Sequence, residues 1–318
     1  MADHLQRDIQ NLTKAYSEST VASAVTLDED TWVAAEARAR EALEQPLNRF
    51  RTLREKEESD PVLDFLFQYY SLRLKHLTDW SPGHAVLLSG RGTRRFTRRR
   101  HFAAFPGGLV GLDASSFPER RLQSVRWIRE LLAATNDRPP FLGCNGMHEW
   151  AMVYGEGPVR HGSVPLRFDR TRINEIVDDN PIACTHYDAF RFFTDSARPL
   201  NVHQPTHDKM TRLEQPGCLH ANMDIYRWAG KLYPWVPSSI LVDAFLLAVR
   251  IREVDMRASP YDLSDRGLEP IAIETNHGKE TYRSYQQQFY REGIVLRSRL
   301  IGSVESLLRW LNAGDQPT

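Results

Sequence analysis

The sequence predicts a mainly α protein, a single helical domain with a small β-hairpin insertion. Three observations predict it. Apolar residues recur at helical spacing over long stretches, as in Leu122, Val125, Ile128, Leu131 and Leu132. Strand-like signals gather at about 84–113, where Pro106-Gly107-Gly108 separates two apolar runs. No Pro-, Gly- or Ser-rich linker divides the chain.

Each element follows from local chemistry. Residues 1–58 read as a polar, helical N-terminal extension, and 59–318 as the main helical domain. Within the extension, Trp32 to Leu43 is rich in strong helix formers, and Pro46 is expected to end or kink that helix. Asp60-Pro61 should open a second helix with Leu63, Leu66, Phe67, Tyr70 and Leu74 as its stripe. Ala85 to Leu88 reads as a short strand, and Phe96–Phe105 and Leu109–Leu112 as the arms of the hairpin. Glu119–Thr135 reads as an amphipathic helix closed by Pro139-Pro140. Short helices follow near Met147 and over Thr171–Asp178, and a longer one around Leu219 to Trp228. Pro237 opens a helix that should run to Arg257 before Pro260. Pro270–Ile273 allows a strand. Glu280–Asn312 is a long helix or helix pair with Gly293 and Gly302 as weak points.

Composition narrows the function. Lys plus Arg and Asp plus Glu are both 41, so a global basic field for nucleic acid is absent. No apolar run approaches the roughly 18 residues of a membrane helix, and the first residues lack the apolar core of a signal peptide. A cytoplasmic protein with no membrane partner is the expectation. Gly-x-Gly-x-x-Gly, the phosphate loop and Gly-x-Ser-x-Gly are all missing, so no nucleotide cofactor is expected. Cys144, Cys184 and Cys218 form no zinc-type pair and read as small buried apolar residues.

The chemistry concentrates in three segments. His220 and Asp224 lie four apart on one helix face. Met147-His148-Glu149-Trp150 and Thr185-His186-Tyr187-Asp188 offer the same residue types upstream. Imidazole with carboxylate is the ligand set of non-haem iron, manganese or zinc, which makes His148, His186, His220 and Asp224 candidate ligands. A metal-dependent oxygenase or hydrolase acting on a small molecule is one reading. The plainer alternative is a buried hydrogen-bond network fastening three helices. Arg191 and Arg198 are candidate anion binders, and Glu253, Asp255 and Arg257 a candidate ion-pair cluster near the same pocket. Six arginines between Arg91 and Arg100 form the only notable basic run, suited to phosphates or to a solvated face.

These segments also resemble a known family. Met147–Tyr154, Cys184–Thr194, Arg198-Pro199-Leu200-Asn201, Gln215–Asp224 and Asp255–Asp262 are similar to a bacterial, largely actinobacterial family that carries the name 3-methyladenine DNA glycosylase, over about residues 60–300. The resemblance implies cleavage of the N-glycosidic bond of an alkylated adenine. That chemistry needs a flipped base stacked on an aromatic ring and a carboxylate supporting an attacking water. Trp150, Tyr187 or Trp228 would stack, and Asp224, Glu149 or Asp188 would be the carboxylate. DNA would be the partner, its backbone held by the Arg91–Arg100 hairpin.

Overall fold

The computed structural model describes residues 24–58, 60–156 and 164–314. The first 23 residues of the expected extension, the last four residues of the chain and part of the Gly155–Arg170 loop lie outside the described residues. In chain order the elements are β1 (Val25–Leu27), α1 (Glu29–Glu55), α2 (Lys75–Thr78), β2 (Val86–Leu88), β3 (Phe102–Phe105), β4 (Leu109–Leu112) and α3 (Leu122–Asn136). There follow α4 (Met147–Ala151), α5 (Arg170–Asp178), α6 (Tyr187–Phe190), α7 (Met210–Leu213), α8 (Leu219–Lys231), α9 (Ser238–Arg257) and α10 (Asn276–Gly314). The fold is mainly α with one four-stranded sheet of order β1-β2-β4-β3.

The chain divides into two compact units. The first comprises residues up to Glu130, Ile225–Leu246 and Val295 onward; the second comprises Leu131–Asp224 and Leu247–Ile294. In the first unit, β1 pairs in parallel with β2, and β2 and β3 pair antiparallel with β4. The described part of the expected N-terminal extension, residues 24–58, is therefore built into this unit. Helix α1 starts where Asp28 accepts from the Thr31 amide, and it runs straight through Pro46. Proline removes only one helical hydrogen bond there, while buried Leu43 and Leu47 anchor the helix on both sides.

The hairpin is shorter than its sequence suggests. Only 102–112 is hairpin; Arg91–Arg98 is a 3-10 helix. Thr93 and Phe96, three residues apart, are its buried positions, and a three-residue period fits the tighter helix. Phe96 packs edge-on against Trp32 and beside Trp80 and Phe102. The Asp60 segment gives a brief π-helical stretch, Phe65–Tyr69, in place of a regular helix. Pro270–Ile273 is not a strand; the Ile271 amide donates to the Arg257 carbonyl. Helix α10 is one uninterrupted run of 39 residues. Gly293 is no weak point: a Cβ there would lie 2.2 Å from Asn222 Oδ1, so glycine admits that side chain.

His84 gives the first unit a pH dependence. Its Nδ1 lies 2.9 Å from the Trp235 carbonyl and its Nε2 lies 2.9 Å from Ser306 Oγ. Burial is the main cause that lowers its pKa. Below the ordinary histidine value of about 6.5, the unfolded chain binds a proton that the folded chain resists. The stabilisation is complete above that value and is lost as pH falls. The urea midpoint should therefore decline between about pH 7 and pH 5, and less steeply in His84→Gln. Comparing the two slopes separates His84 from the other histidines; equal slopes would refute its role.

Candidate metal centre

The second unit builds its polar centre from three helices. Asn145 and Gly146 take left-handed conformations, with φ of 47° and 78°, and turn the chain into α4. At Gly146 an added Cβ would meet Ala258, Ile273 and Tyr282 atoms at 3.3 Å, so the site needs glycine. This turn sets Cys144 Sγ 3.2 Å from His148 Nδ1. The other ring nitrogen, His148 Nε2, lies 2.9 Å from Asp255 Oδ1 on α9. Arg252, one turn before Asp255, donates from Nη1 to Asp255 Oδ2 and to Glu149 Oε1, each at 2.7 Å. All five side chains are buried, Asp255 and Arg252 at 0% and 1% exposure.

His148, Glu149, His220 and Asp255 each bring a ligand-type atom within 4.8 Å of the others, so this buried group can hold a metal ion. Burial alone would raise the Asp255 pKa, but His148 and Arg252 outweigh it and hold the carboxylate ionised. Burial opposes a charge on His148, yet Asp255 and Cys144 overcome it and raise its pKa well above normal. His220 is different. Burial, with His148, His186 and Arg252 adding to it against Asp255, drives its pKa well down, so its ring is neutral. It touches both other imidazoles, with ring centroids 4.6 Å from His148 and 5.2 Å from His186. Among the described residues, neither of its ring nitrogens has a hydrogen-bond partner.

The three imidazoles thus lie together, but His186 plays another part. Its Nδ1 accepts the Ala189 amide hydrogen at 3.2 Å, capping α6. That lone pair is used, so the neutral ring carries its proton on Nε2. Nε2 faces Asp224 Oδ2 at 3.4 Å and Glu214 Oε1 at 3.6 Å. Burial lowers the His186 pKa, but Glu214 and Asp224 outweigh it and the net direction is upward. A nitrogen that carries a proton toward carboxylates has no lone pair for a metal. The compact four-residue group contains Glu149 and Asp255 in place of the sequence candidates His186 and Asp224.

The remaining candidates are placed as follows. Asp188 pairs with Arg191 Nε at 3.0 Å, and the Arg191 guanidinium also covers the Phe192 ring. Arg198 is exposed and donates to the Arg191 carbonyl. Tyr187 is half-buried, edge-on to His207. Trp150 is fully buried and donates from its indole to the Ala258 carbonyl at 2.9 Å. Trp228 belongs to the first unit, where it packs edge-on against Trp127 and is also buried. Both indoles lie within packing and offer no open face.

Arg252 is the residue that sequence reasoning missed, and Asp255 was grouped with the wrong partners. Arg257 instead donates to the Glu269 carbonyl. A signal was present: positions 252 and 255 continue the buried positions 248 and 251 by one helical turn, so their charges fall on the buried face of α9.

Comparison with protein families, with curated proteins and with solved structures found no match.

Proposed function

We propose that the protein is a metal-dependent enzyme acting on a small molecule, with a non-haem divalent metal (iron, manganese or zinc) held by His148, Glu149, His220 and Asp255. The observation that carries this reading is His220. A neutral imidazole, 6% exposed and with no hydrogen-bond partner at either nitrogen among the described residues, keeps a lone pair unused inside a cluster of carboxylates. Charge supports it too. Glu149, Asp255 and Arg252 sum to one negative charge, which the His148 proton balances. A divalent ion taking that proton's place would leave one positive charge to attract an anionic substrate. Such a metal supplies Lewis-acid or redox chemistry. The protein's part is to hold the ligands, with Arg252 fixing both carboxylates and the His186 Nε2–H available as a donor.

The test is metal content after expression in iron-, manganese- and zinc-replete medium, followed by calorimetric titration of the metal-stripped protein. About one ion per chain is expected, falling at least about tenfold in affinity in His220→Ala. Protein that arrives metal-free and takes up none of the three ions would sink this reading.

A second reading rests on the chain Cys144 Sγ–His148–Asp255, 3.2 and 2.9 Å in its two links. A thiol beside a base that a carboxylate orients is the arrangement of nucleophilic catalysis. Alkylation of Cys144 that slows strongly in His148→Ala, in metal-stripped protein, would favour it. The glycosylase activity implied by the resemblance would draw on Asp224. It is scored by abasic sites in alkylated DNA that disappear in Asp224→Asn.

A further inference from the structure

We propose that the first unit carries a binding site for a multiply charged phosphate ligand, in a cavity of about 820 Å³. Its walls gather cations from four places in the chain. Arg73 and Lys75 come from the start of α2, and Arg98, Arg99 and Arg100 from the end of the 3-10 helix. Arg121 precedes α3, and Arg227 and Lys231 lie on α8. One carboxylate, Asp79, joins these eight cations, so the lining carries a formal charge of eight minus one, or +7. The whole chain is neutral, so this excess is a matter of placement.

The way these cations are held suits them to an incoming anion. Among the described residues, Arg73, Lys75, Arg98, Arg99, Arg100 and Arg121 make no ion pair with a carboxylate. Arg99 is fixed by neutral acceptors: the Trp80 carbonyl at 2.6 Å, the Asp79 carbonyl at 3.2 Å and the Tyr233 hydroxyl at 2.6 Å. Arg121 likewise donates to the Lys231 carbonyl. Carbonyl acceptors orient a guanidinium without cancelling its charge, which preorganises it for an incoming anion. The first half of the arginine run differs. Arg95 pairs with Glu36, and the Arg91 and Gly92 amides donate to Glu29. So the run divides, with its end turned to the cavity.

The histidines register the same field. Burial first, then Lys75 and Arg73, lower the His76 pKa; burial, then Arg100, lower that of His101. The His76 ring stacks on Tyr233 at 4.8 Å, a flat surface beside the cations. The volume exceeds what inorganic phosphate needs and suits a ligand the size of a nucleotide or a few linked phosphates. Free oligophosphate and a nucleic-acid backbone offer the same phosphate chemistry.

The site is tested by titrating the full chain with inorganic phosphate, tripolyphosphate and a single-stranded 12-nucleotide DNA, with polyaspartate as a non-phosphate polyanion. Tripolyphosphate should bind at least about tenfold tighter than inorganic phosphate. The triple variant Lys75→Ala/Arg98→Ala/Arg100→Ala alters only exposed side chains. It should weaken tripolyphosphate binding by about tenfold or more and reduce the salt dependence. Arg172→Ala/Arg283→Ala/Arg291→Ala removes three exposed cations of the second unit and should change nothing. DNA that binds and competes with tripolyphosphate identifies a phosphodiester backbone as the source; tripolyphosphate binding without DNA binding identifies a free phosphate ligand. The proposal is overturned if neither binds, if polyaspartate binds as well as tripolyphosphate, or if the two triple variants behave alike.

Discussion

Replacing Arg252 with Met should destabilise the protein by about 3–5 kcal/mol, the largest single-residue effect expected here. The guanidinium bonds Glu149 and Asp255 at 2.7 Å each, and the two carboxylates are 3% and 0% exposed. Without it, both acids stay buried with one counter-charge removed, and desolvation is no longer offset. Urea unfolding measures the loss. The triple variant Arg252→Met/Glu149→Gln/Asp255→Asn should recover part of it, because the stranded charges are removed together. A single variant within about 1 kcal/mol of the parent would show that water reaches these carboxylates.

Metal binding should give the second large effect. A ligand that binds only the folded chain adds stability by mass action, about 2.7 kcal/mol at a hundredfold excess over its dissociation constant. Melting of metal-stripped protein should therefore shift upward on adding Zn²⁺, Mn²⁺ or, without oxygen, Fe²⁺. In His220→Ala, measured against that variant's own metal-free melting point, which the lost packing at a buried ring lowers, most of that shift should vanish. If the shift survives in His220→Ala, the ion is bound elsewhere.

Much of the fold was legible because punctuation and period agreed. Pro237 and Pro260 bracket α9, and the apolar stripe from Leu122 to Leu132 marks α3. The sequence fails where tertiary packing overrides the local signal. Val25–Leu27 is too short to read as a strand until β2 lies beside it. Pro46 should break α1, yet Leu43 and Leu47 hold it. Phe96–Arg98 reads as the start of a hairpin arm because the three-residue period of Thr93 and Phe96 spans only one repeat. At the candidate metal centre, His148 and His220 are visible as residue types in suggestive segments. What no spacing rule conveys is the tautomer of His186, set by one backbone amide from Ala189. Nor does spacing convey the guanidinium of Arg252, 103 positions from Glu149.

The notch at Gly293 has a mechanical consequence. The Asn222 amide that fills it is itself tied to the Pro216 and Cys218 carbonyls, at 2.8 and 3.0 Å. Sliding α10 by one turn, about 5.4 Å along its axis, would drive Phe289 or Arg297, four residues to either side on the same face, onto that amide. The helix cannot act as a piston within the second unit. Any signal it carries there must travel as a roll, a bend or a release of Asn222 from its seat.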